Sequence, residues 1–186
     1  MVVRTRLLSA LILASAWMCT PGWSAPDGDL DHARKGDVLY TRFSLFYQKG
    51  CHVTTNYRQG DFLPVNSRVT FVKTGQSRIY FTLENGVEFC VDNVREYSGE
   101  DINGIFRRTF SATETDLSQF TDSERKAIAS GQARKGMSKA AVLIALGYPP
   151  KHRTPSLESD SWRYWASKYD TFLVDFENDK VVETID

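Results

Sequence analysis

The sequence predicts an α+β chain in two parts, a small antiparallel β-barrel or sheet followed by an α-α-β-β-β module. Three observations predict it. Short β-rich runs separated by turn residues fill Val38 to Val94. A capping-box sequence, Thr121-Asp122-Ser123-Glu124, opens a helical stretch. Three alternating, aromatic-bearing runs then follow Ser161.

Residues 1–25 read as a secretory signal peptide, with Arg4 and Arg6 before an apolar run from Leu7 to Met18 and a small-residue site ending at Ser24-Ala25. The apolar run is shorter than the roughly 20 residues a membrane-spanning helix needs. Cys19 raises a second reading, lipid attachment. The bulky Trp17 and Met18 before it fit that processing poorly, and an ordinary cleavage site follows. The expected product is a periplasmic chain starting near Pro26.

Cleavage removes two arginines and no acids, so the 23 basic residues fall to 21 against 23 acidic ones and the net charge moves from 0 to −2. A near-neutral chain lacks the basic excess of a nucleic-acid binder, and no such partner is expected. Cys51 and Cys90 survive cleavage, and an even count in an oxidising compartment favours a disulfide. It would close a loop of about 40 residues, worth roughly 4 kcal/mol in the chain-entropy treatment.

Residues 26–36 are polar and read as a flexible lead-in. Residues 37–110 read as the β-rich domain. Val38 to Tyr47 is one long run with Leu39, Phe43 and Leu45 in phase, and His52 to Tyr57 is a short one. Arg68 to Lys73 alternates, and Arg78 to Leu83 and Val87 to Val91 flank Asn85-Gly86, a two-residue hairpin signal. A five-stranded SH3-like barrel fits this size and pattern. Ile102, Ile105, Phe106 and Phe110 then form a helical stripe, with Ser98 as the expected N-cap.

Residues 111–120 are polar and read as a linker, leaving 121–186 as the second module. Thr121 caps a short helix that Gly131 ends, and Ser138 caps a second that Gly147 and Pro149-Pro150 stop. The strands Ser161 to Lys168, Thr171 to Glu177 and Lys180 to Ile185 follow, the last two joined at Asn178-Asp179.

The segment Ile128 to Ile185 resembles the SmpA/OmlA (BamE-like) domain, a fold shared with a beta-lactamase inhibitory protein. The resemblance rests on Gly136-Met137-Ser138 before the helix, Val142 in it and Leu146-Gly147-Tyr148-Pro149 after it. It continues with Trp162-Arg163-Tyr164 and with Val174 to Val181 across the final hairpin. It covers about the last third of the chain, and its motif positions Gly136, Met137, Leu146, Gly147, Pro149, Trp162, Tyr164 and Phe176 have scaffold roles. The resemblance implies an envelope location and a protein-binding or assembly role.

No residue pattern points to catalysis. His32 lies in the lead-in and His152 between Lys151 and Arg153, neither with a carboxylate at helical spacing. Cys51-His52 suggests a nucleophile or metal pair, but neighbours on a strand face opposite ways. No G-x-S-x-G, H-E-x-x-H or phosphate-binding glycine loop occurs. The acidic Glu177, Asp179, Glu183 and Asp186 read as a solvated strand edge. No metal and no cofactor are expected.

Binding surfaces are the remaining candidates. Tyr40, Phe46, Tyr47, Tyr57 and Tyr80 either line an exposed aromatic groove or serve as core and cross-strand pairs. Trp165, out of phase with Trp162 and Tyr164, is an interface anchor if its face is open, or is covered by a helix or the N-terminal part. The expected function is a non-enzymatic envelope scaffold that binds an envelope protein. The alternatives are a module binding peptidoglycan or lipid headgroups, and an inhibitor of an exported enzyme.

Overall fold

The computed structural model describes residues 30–186. The expected signal peptide and its cleavage site lie outside the described residues. The chain carries both strands and helices, arranged around two hydrophobic cores.

The first core is built on a six-stranded sheet. Its strands are β1 (Val38–Thr41), β3 (Cys51–Val53), β5 (Arg68–Thr74), β6 (Arg78–Leu83), β7 (Glu88–Asp92) and β8 (Phe110–Ser111). They lie in the order β3-β7-β6-β5-β1-β8. A two-stranded ribbon of β2 (Leu45–Tyr47) and β4 (Asp61–Leu63) stands beside it. The sheet is mixed, not purely antiparallel, because β3 runs parallel to β7 with Cys51 opposite Cys90. A parallel partner needs a long connection, and here the whole of β4, β5 and β6 supplies it, a separation no local pattern encodes.

Alternation places Leu39, Val69, Phe71, Ile79, Phe81, Phe89 and Val91 on one face. Helix α2 (Ile102–Thr109) lays Ile105 and Phe106 against them, and Phe106 meets Phe71 at 6.2 Å between ring centres. Burying side chains of this size contributes about 2–3 kcal/mol each.

Four local expectations change. The run Val38 to Tyr47 is two strands, because the chain turns at Arg42–Ser44. There the Arg42 N–H donates to the Thr109 carbonyl, at the end of the β1–β8 pairing, and the Ser44 N–H to the Ile144 carbonyl, off the sheet. The α2 N-cap is Asp101, whose carboxylate accepts from the Gly104 N–H at 2.7 Å, not Ser98. Ser98 instead closes a one-turn helix, α1 (Arg95–Ser98). The Asn85-Gly86 hairpin is a three-residue loop closed by the Leu83 N–H on the Val87 carbonyl, with only Gly86 at positive φ. Leu30, in the expected lead-in, sits in a short 3-10 turn and is buried in the first core.

The second core follows the expected element order. Helices α3 (Asp122–Ala129) and α4 (Lys139–Leu146) precede β9 (Ser161–Trp165), β10 (Thr171–Glu177) and β11 (Lys180–Ile185). The sheet is antiparallel in the order β11-β10-β9. Trp162, Tyr164, Val174, Phe176 and Val181 face Ala127, Ile128, Ala141, Val142 and Leu146 from the helices. Met137 is buried among them. Asn178 and Asp179 both take positive φ in the β10–β11 turn. The stretch expected as a linker is partly core: Phe120 is buried in this cluster and Leu117 packs on it. No helix among the described residues is long and apolar enough to cross a membrane.

The two cores share a seam of hydrogen bonds. Asn56, held at positive φ, sends its Nδ2 to the carbonyls of Leu146 at 2.8 Å and Tyr148 at 3.0 Å. The Arg58 guanidinium donates to Leu146 at 3.2 Å and to the Gly131 carbonyl. These are carbonyls left over where α3 and α4 end. Gly147 adopts φ 75° and ψ −170°, a conformation open almost only to glycine, and a Cβ there would sit 2.7 Å from the Phe43 ring. The glycine therefore lets α4 end directly against the first core.

Candidate functional site

The seam opens on one side into a cleft of about 480 Å³. One wall comes from the first part of the chain: Arg42 after β1, Ser98 and Glu100 around the end of α1, and Gly104, Arg107 and Arg108 of α2. The other wall is the loop after α4, with Tyr148, Pro149, Lys151, Thr154, Pro155 and Leu157. Proline stiffens this loop, and Lys151 is fixed at its base by an N–H bond to the Tyr97 carbonyl at 2.8 Å. The Lys151 stem crosses over Gly99, where a Cβ would lie 2.3 Å from it.

Charge in the cleft is one-sided. Four cations, Arg42, Arg107, Arg108 and Lys151, face one carboxylate, Glu100. Among the described residues none of these four takes part in an ion pair, while six pairs form elsewhere. Glu100 lies against the first turn of α2, its Oε2 at 2.5 Å from where a Gly104 Cβ would be. Arg108 is the most enclosed of the four. Its guanidinium lies 4.6 Å over the Tyr148 ring, and its Nε is buried with no hydrogen-bond partner. Burial lowers its pKa from the ordinary arginine value, with Glu100 and Tyr148 acting in the opposite direction. An enclosed guanidinium with no direct ion pair is costly to fold, and such a group at a cleft is a ligand-site candidate.

Behind the cleft lies a second buried base. His52 is 4 % exposed and its Nδ1 donates to the Phe46 carbonyl at 2.8 Å. Burial lowers its pKa to about 4, against the Phe46 bond, and the charges of Arg108 and Arg58 lower it further. His52 is therefore neutral at physiological pH. Burial also lowers Arg58, to about 10.

The chain matches no family model, no curated protein and no solved structure.

The disulfide between Cys51 and Cys90 is present. It takes the thiol out of any Cys51-His52 pair, and His52 faces away from it on the adjacent strand position. Among the described residues no three His, Cys, Asp or Glu converge as metal ligands do. The motif positions Gly147, Pro149, Trp162, Tyr164 and Phe176 are buried, and the Tyr164 hydroxyl donates to the Gly147 carbonyl at 2.9 Å. Gly136 is exposed, its N–H bonded to the Val181 carbonyl, which together with the Val181 N–H to Met137 lines part of the β11 edge.

The two candidate interface aromatics lie together. Tyr57 and Trp165 are half-buried and pack edge to face on each other, ring centres 6.3 Å apart, and the Arg58 N–H donates to the Trp165 carbonyl. The first module covers part of the Trp165 ring through Tyr57. His152 stacks on the far side of Trp165 and on Tyr97. The four other aromatics, Tyr40, Phe46, Tyr47 and Tyr80, do not stack together in one groove. Phe46 packs on Phe62 under Arg58, Tyr47 on Phe89, and Tyr80 under Lys73, each with a separate partner.

Reading the sequence for histidines and aromatics passed over the arginines. One signal was present: Arg108 falls three residues after Ile105, on the flank of the apolar stripe, where a cation is half-enclosed unless it faces a cleft.

Proposed function

We propose that this protein is an exported, non-enzymatic binding protein of the cell envelope that takes its ligand at the seam between its two modules. The observation that carries this is the cleft of four unpaired cations walled by both halves of the chain. A binding site at a junction of rigid units is where ligand pockets commonly lie. The disulfide and the signal-like N-terminus fit an oxidising compartment. The resemblance of residues 128–185 to the SmpA/OmlA domain supports an envelope scaffold with a protein partner. Among the described residues the cleft lining holds no histidine, cysteine or aspartate.

Photo-crosslinking in intact cells tests the reading. A crosslinking residue is placed at Leu157, on the cleft rim, or at Lys35, away from it. Adducts from position 157 only support binding at the seam. Adducts from both positions, or from neither, overturn it.

A further inference from the structure

We propose that the group recognised in the seam cleft is a phosphate, held by Arg108 at its floor and by Arg42, Arg107 and Lys151 at its rim. This rests on the proposal that the seam is the ligand site and names the chemistry it takes.

The cleft carries a strong excess of positive charge. Four cations against one carboxylate leave an excess of three positive charges in one small cleft. A single carboxylate ligand would neutralise one of them, whereas a phosphate monoester carries close to two negative charges and three acceptor oxygens. Three of the four cations are arginines, whose planar forks bind phosphate through two parallel N–H bonds. Placement follows the same logic. The Arg108 guanidinium lies over the Tyr148 ring, 4.6 Å from its centre. Arg42 is steadied by a bond from its Nη1 to the Arg107 backbone carbonyl at 3.3 Å.

The wall formed by the loop after α4 also carries apolar surface. Beside Lys151 it presents Tyr148, Pro149, Pro155 and Leu157, with Tyr148 under the Arg108 guanidinium. Free phosphate would leave that surface unused. A phosphate ester with an apolar or ring-shaped body would cover it. A lipid headgroup and a soluble phosphate ester both have this chemistry, and the experiment separates them.

The test uses the whole mature chain and four probes. Inorganic phosphate, phenyl phosphate and acetate are titrated by calorimetry at low salt. Vesicles of phosphatidylcholine, with and without phosphatidic acid, are tested by flotation. Saturable binding of phenyl phosphate, at least tenfold tighter than acetate and weakened by salt, is expected. Arg107→Gln and Arg42→Gln are exposed changes expected to fold normally and to weaken phenyl phosphate several-fold. Arg108→Gln is expected to weaken it at least tenfold, with circular dichroism confirming the fold. Arg95→Gln, an exposed arginine outside the cleft, is expected to change nothing. Cleft-dependent flotation with phosphatidic acid assigns the headgroup, and soluble binding without flotation assigns a free ester. Absence of saturable phosphate binding, or equal loss in Arg95→Gln, overturns the inference. If crosslinks still map to the rim in that case, the seam remains a binding site and only the phosphate chemistry falls.

Discussion

The Glu124 carboxylate accepts two hydrogen bonds from Ser138, from its N–H at 2.8 Å and its hydroxyl at 2.9 Å. Its other oxygen accepts from the N–H and hydroxyl of Thr121, both at 3.1 Å. One side chain thus closes the capping box of α3 and holds the N-cap of α4. Burial pushes the Glu124 pKa up, but these four bonds outweigh it and bring it to about 2. The folded value lies below the unfolded one of 4.5, so the stabilisation is complete above pH 4.5 and is lost as pH falls through 2. Glu124→Gln is expected to cost about 2 kcal/mol at pH 7, the scale of hydrogen bonds to a charged group. Urea unfolding should show the gap between variant and parent closing as pH drops. A constant gap would show that the charge is irrelevant.

His52 gives a second acid response at higher pH. Its folded pKa of about 4 lies below the ordinary 6.5, so folding favours the neutral ring. Stability is full above pH 6.5 and falls between 6.5 and 4, by roughly 3 kcal/mol in all. His52→Gln keeps a donor for the Phe46 carbonyl but cannot titrate. The variant should lose the slope in this window, measured by urea midpoints from pH 7 to 4. An unchanged slope would place the titration on another group.

Removing the cross-link should matter more than any single hydrogen bond. The Cys51–Cys90 bridge spans 39 residues, and a loop of that size is worth about 4 kcal/mol. The double variant Cys51→Ala, Cys90→Ala should melt at a correspondingly lower urea concentration. Thiol labelling of the oxidised parent should find neither cysteine reactive. Stoichiometric labelling of both would contradict the bridge.

Gly147→Ala tests how tightly the modules meet. The substitution must hold an alanine in a glycine-only conformation and displace the Phe43 ring. The combined cost is expected to be about 3 kcal/mol. A neutral result in thermal unfolding would mean that α4 can end without pressing on the first core.

What the sequence disclosed was local. Thr121 with Glu124, Ser138, Gly147 and Asn178-Asp179 each cap a helix or make a turn within a few residues of where they stand, so that part of their chemistry is readable in order. The pairing of β3 with β7 and the docking of Asn56 on Leu146 depend on groups 39 and 90 residues apart. Period and propensity carry no information at that range. The cleft failed to show for the same reason. Arg42, Arg107 and Lys151 are ordinary surface cations until the fold gathers them around Arg108. Trp165 shows the limit of phase arguments: its strand position was legible, but the partner that covers it was not.

The Asn56 amide has a consequence for inheritance. The carbonyls of Leu146 and Tyr148 belong to the helix-and-sheet half, while the donors that satisfy them belong to the β-rich half. Neither half completes its own backbone bonding. A gene fragment encoding one half would not travel as an independent cassette into a new fusion, because each cut face would carry polar groups evolved for the other. The two halves are expected to change together, residue against residue, along this seam.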